Sequence, residues 1–259
     1  MKSWGRERSA LLELAVLFLP AVPALIWLWP NLRDEHLQTA VQSAAYVYVL
    51  AGVLWIGRRR WSWEELGITH RGFWLGAVFG GVLFLLRILA LLGFRLPVAF
   101  KPLQALPFLW DIVFYFGFVA LTEELLFRGL LFRALEDGWG PAAAVIGSAA
   151  GFALWHIGWA GPLVIGHFVL GLYFGLIRRR SQGILGLIAA HGLYDLLASQ
   201  LADTITLDRI LQAIERGEVA AAWLLLGDGL LVGAVIFLIW VYPRVRARGK
   251  PDGARERRA

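Results

Sequence analysis

The strongest constraint on this chain is a succession of long apolar segments. A bilayer core needs roughly 20 predominantly apolar residues for each helical crossing, because every peptide group in lipid must find its partner within the helix. About eight such stretches can be placed, near residues 10–30, 38–57, 73–94, 105–123, 141–157, 162–177, 183–200 and 219–242. Hydrophobic residues make up 59% of the chain and the mean hydropathy is +0.64, more than one soluble core requires. The expected fold is all-α, a polytopic membrane bundle of about eight transmembrane helices.

The basic residues set the orientation. Lys2, Arg6 and Arg8 precede the first stretch, Arg58 to Arg60 and Arg71 follow the second, Arg128 and Arg133 the fourth, and Arg178 to Arg180 the sixth. The alternate connections carry only Arg33, then Arg95 and Lys101, then Arg209 and Arg216. This asymmetry places both termini in the cytoplasm. The net charge of +6 is then a topology signal, and no nucleic-acid partner is expected. Residues 1–243 read as one membrane-embedded domain that keeps its first helix, and 244–259 as a basic cytoplasmic tail at the lipid headgroups. The absence of cysteine excludes disulfides, thiolate metal sites and a cysteine nucleophile. The arginine-rich composition is read as that of a prokaryotic cytoplasmic membrane protein.

Against this background Glu123, Glu124 and Arg128 are out of place, as are His156, His191 and Asp195 in later apolar stretches. Ionisable groups at membrane depth are costly and are functional by default. Adjacent positions on a helix point about 100° apart, so Glu123 and Glu124 must do different work. Arg128 shares the face of Glu124 four residues on and forms an ion pair with it, leaving Glu123 to face the bundle interior. His191 and Asp195 are likewise one turn apart. A carboxylate and a histidine on one water can activate it for attack on a carbonyl, and a second histidine can stabilise the resulting oxyanion. The competing reading is hydrogen-bonded glue between helices, which explains one such group better than several on three segments.

These segments resemble the CPBP family of intramembrane proteases, which includes CAAX prenyl endopeptidases of the Rce1 type and bacterial Abi proteins. The paired glutamates followed by an arginine are Glu123, Glu124 and Arg128; the phenylalanine and histidine four apart are Phe152 and His156; the later histidine is His191. The resemblance spans about residues 105–200. It implies that Glu123 and His156 activate water, that His191 and Asp195 stabilise the oxyanion, and that Glu124, Arg128 and Phe152 support them. Where the prenyl endopeptidases carry asparagine this chain has Asp195, which has three readings: a neutral carboxyl, a partner that orients His191, or a metal ligand. The second is favoured. Phe168, Gly171 and Gly175 resemble a third family segment and are expected to serve packing.

Family members have been called metalloproteases, and Glu123, His156, His191 and Asp195 could bind zinc. No His-Glu-x-x-His helix is present, so no obligatory cofactor is expected. The resemblance implies an intramembrane endopeptidase acting on a lipidated or hydrophobic C-terminal tail of a membrane-associated protein or peptide. The alternative is a non-catalytic scaffold, immunity protein or transporter that uses the charges for assembly or ion coupling.

Several other groups are assigned no chemistry. His167 is expected at the outer end of its span as a packing or interfacial residue. Glu64 and Glu65 are expected to be solvated, and tryptophans such as Trp61, Trp63 and Trp139 to mark span ends. Arg87, Asp111 and Asp228 are expected to pair with one another. The pattern Leu207, Ile210, Leu211 and Ile214 predicts a short helix on the outer surface. Gly76/Gly80, Gly147/Gly151 and Gly171/Gly175 predict close helix contacts.

Overall fold

The computed structural model describes residues 4–23, 31–93, 104–157 and 164–200, with the single positions 28, 216, 233 and 237. Among the described residues the regular secondary structure is all helical. The helices are α1 (Trp4–Pro23), α2 (Glu35–Arg58), α3 (Phe73–Gly93), α4 (Ala105–Trp139), α5 (Pro141–Trp155), α6 (Val164–Ser181) and α7 (Leu185–Gln200). His36–Arg58 and Ala105–Trp139 are each long and apolar enough to cross a membrane. The stretch 219–242, the surface helix near 207–216 and the basic tail lie outside the described residues, apart from the single positions named above.

Helix α4 corrects one expectation. It continues past Glu123 to Trp139, so Glu123, Glu124 and Arg128 lie within the helix instead of at its end. Their charges are enclosed by other helices, which removes the need to leave the apolar layer there. The chain turns at Gly140, whose φ of 86° suits a residue without Cβ, and Pro141 then starts α5 with no N–H to satisfy. Val113–Ala120 and Glu124–Leu131 are wound with wide i→i+5 turns on either side of Leu121–Glu123. Such turns are rare and recur at functional sites.

Large apolar residues face outward, while an otherwise apolar core encloses charges. Leu106 is 80% exposed, Trp74 75% and Ile165 70%, whereas Glu124 and Arg128 have no exposed surface. Apolar residues on this scale are stable facing lipid or a partner and not facing water. Small residues bring the helices together as expected. A Cβ on Gly171 would sit 2.7 Å from Ala149 Cα, and one on Gly76 would sit 3.1 Å from the Gly186 carbonyl carbon, so α6 packs on α5 and α3 on α7. Gly147 and Gly151 receive Leu135 and Leu131 of α4 in the same way.

The connection between α2 and α3 is built into the fold. Trp61, just past the end of α2, is buried and its Nε1 donates to Asp137 at 3.0 Å. Glu65 closes a local turn by accepting from Ser62, and its carbonyl accepts from Arg178; its side chain is 41% exposed and that of Glu64, paired with Arg71, 59%, as expected. Arg178 is likewise buried, and its Nε donates at 3.0 Å to the carbonyl of Arg128 within the wide-turned part of α4. Asp111 accepts from Gln200 at 2.9 Å, while the side chain of Arg87 and all of Asp228 lie outside the described residues.

Candidate active site

The two adjacent glutamates of α4 are both buried and divide their partners. Glu123 Oε1 accepts from the Tyr46 hydroxyl of α2 at 2.7 Å and from the Trp155 indole of α5 at 3.1 Å. Its other oxygen, Oε2, makes no hydrogen bond and lies 3.8 Å from Nε2 of both His156 and His191. Glu124 Oε1 instead receives Arg128 Nη1 at 3.3 Å and His191 Nδ1 at 2.9 Å. The ion pair expected from the four-residue spacing is therefore present, and a histidine shares its acceptor.

His156 closes α5. Its Nδ1 donates to the Phe152 carbonyl at 2.8 Å, which leaves Nε2 as the nitrogen facing Glu123. His191 comes from α7, which approaches α4 closely because Gly192 meets the Phe116 ring without a Cβ between them. Both nitrogens of His191 face carboxylates, Nδ1 that of Glu124 and Nε2 that of Asp195 at 3.3 Å. Asp195 is thus placed to orient His191, and it is the most exposed of the four residues expected to react, at 20%.

Phe152 has a physical role that its spacing from His156 did not disclose. Its ring lies 4.3 Å from the Arg128 guanidinium carbon and 4.5 Å from the His156 ring centre, with Phe174 enclosing the cation from another side at 5.2 Å. A guanidinium that is short of hydrogen-bond partners gains from aromatic faces. Arg128 Nε and Nη2 have no hydrogen-bond acceptor, so these faces are where the cation is compensated.

His167 packs, as expected, but against a residue of the candidate site. It stacks on His156, with ring centres 4.3 Å apart and planes at 21°. The stack brings it beside the candidate site. The sequence did hold a signal for this: His156 ends one helix and His167 begins the next, and a short connection brings such ends together. Tyr46 and Trp155 were not found by the sequence reading. Tyr46 lies outside the motifs and Trp155, inside the Phe152–His156 segment, carries no charge, and only the tertiary packing brings them to Glu123.

Among the described residues no group of three or more His, Asp or Glu side chains is set to hold a metal ion.

Residues 105–197 match the family model described as type II CAAX prenyl endopeptidase Rce1-like. No curated protein and no solved structure matches the chain.

Proposed function

We propose, on the premise that residues 105–197 belong to a CPBP/CAAX protease family, that this chain is an intramembrane endopeptidase cutting a peptide bond near the membrane surface. Glu123, acting with His156, takes a proton from water as the water oxygen attacks the scissile carbonyl. His191, oriented by Asp195, donates to the oxyanion that forms. The proton held at Glu123 passes to the leaving amine as the C–N bond breaks. Glu124 and Arg128 brace His191 from the side away from the reaction, and Phe152 carries both Arg128 and His156.

The observation that supports this reading best is the direction of Glu123 Oε2. It points at Nε2 of both histidines, 3.8 Å from each, and Asp195 Oδ2 lies 3.3 Å from the same nitrogen of His191, so the four groups expected to react converge on one place. The separation of Glu123 from the two histidines exceeds a direct hydrogen bond and suits a reacting group held between them. The substrate we propose is a protein or peptide with a lipidated or hydrophobic C-terminal tail. Such a tail partitions into the same layer as the exposed apolar helix faces, in a prokaryotic cytoplasmic membrane with both termini of the enzyme cytoplasmic.

The test uses the purified full chain and two internally quenched peptides, one ending in S-farnesylcysteine plus three residues and one with an unmodified apolar tail. Wild type should cleave at least one, and E123A, H156A and H191A should each lose roughly 10²- to 10⁴-fold in rate. Cleavage that survives all three substitutions refutes the assignment.

A further inference from the structure

We infer that Tyr46 and Trp155 are positioning residues of this site, which together hold one oxygen of Glu123 so that the other is presented to the reactants. The inference rests on the function proposed above and adds to it which carboxylate oxygen acts and what selects it.

A carboxylate oxygen offers two lone pairs, and on Glu123 Oε1 both are engaged, by the Tyr46 hydroxyl at 2.7 Å and the Trp155 indole N–H at 3.1 Å. The terminal torsion of a glutamate is broad and two-fold, so nothing intrinsic distinguishes its two oxygens. The two donors break that equivalence. Both are themselves held in place: Tyr46 is 2% exposed and Trp155 5%, and their rings meet edge to face at 6.1 Å. Phe114 abuts Tyr46, and Phe18 and Phe127 abut Trp155. Tyr46 lies on α2, outside the segment 105–197 that matches the family model, so that segment alone does not complete the site.

Tyr46→Phe and Trp155→Phe remove the donors and keep an aromatic ring. With the quenched peptide that wild type cleaves, each should lower kcat by about 10- to 100-fold, since displacing a reacting group by about an ångström costs that much. KM should stay within about twofold, because substrate binding is not what these residues serve. The thermal midpoint should remain near that of wild type.

A second measurement needs no substrate. The carboxyl infrared band that disappears in Glu123→Gln should shift in both Phe variants. Variants with wild-type kcat, beside an active wild type and an inactive E123A, overturn the inference and leave the proposed function standing. A wild type that cleaves neither peptide overturns the proposed function; the infrared band then decides the inference, and a band unmoved in both variants refutes it.

Discussion

Replacing Arg128 with alanine isolates what a fully enclosed cation does in this bundle. Its Nη1 lies 3.3 Å from Glu124 Oε1, a separation that gives about 5 kcal/mol of attraction at an effective dielectric of about 20. The Phe152 and Phe174 faces, 4.3 Å and 5.2 Å from the guanidinium carbon, contribute on the order of 1–2 kcal/mol more. Desolvation of both ions offsets much of this, so the intact pair is worth little in net terms. The variant is a different matter, because Glu124 stays buried without its cation, and breaking such a pair costs about 3–5 kcal/mol. At roughly 2–4 °C per kcal/mol for a chain of this size, the apparent melting midpoint in detergent should fall by about 10 °C. Heated aliquots read by fluorescence-detected size exclusion give the midpoint. The paired variant E124L/R128M replaces both ions by apolar groups of similar volume and should recover most of that loss. It should nevertheless remain inactive, since His191 Nδ1 loses the acceptor 2.9 Å away. A single variant melting within about 2 °C of wild type, or a double variant as unstable as the single, refutes the reasoning.

His167→Ala should lower kcat about tenfold through loss of the ring that steadies His156, whereas His167→Phe keeps a stacked face and most of the activity. Equal losses in peptide cleavage would refute stacking as its role. Gly171→Leu should destabilise the fold by about 1–3 kcal/mol, as its Cβ would meet Ala149 Cα at 2.7 Å. Gly166→Leu is the control, with nothing within 4 Å of the added Cβ, and should melt like wild type. Activity should survive exhaustive chelation; stoichiometric zinc lost together with activity, and restored with it, would refute a metal-free water activation.

The charged half of the site was legible because membrane depth makes every ionisable group an outlier. Glu124 and Arg128, and likewise His191 and Asp195, are four apart on a helix, a relation that survives whatever the helix packs against. The end of α4 was misplaced for the same reason. Charges at Glu123 and Glu124 read as the edge of the apolar layer, although the stop signal at Gly140 and Pro141 stood further along in the sequence. Arg178 carries a second role that a charge count does not show: three consecutive arginines read as a topology signal, and the first of them is also buried against the carbonyls of Glu65 and Arg128. Periodicity describes one helix, and these outcomes depend on what a neighbouring helix offers.

The same distinction explains which residue types surround Glu123. Arg128 already occupies Glu124, and a second buried cation beside Glu123 would need its own desolvation and would compete with the two histidines for Oε2. A phenol and an indole can hold a carboxylate oxygen without adding an ion to be desolvated, and their apolar bodies pack like the rest of the bundle. Neutral donors are therefore the physically cheaper way to fix this carboxylate in an apolar bundle. They carry no charge to stand out against an apolar sequence, so a search for misplaced ions reaches His156, His191 and Asp195 and passes over Tyr46 and Trp155.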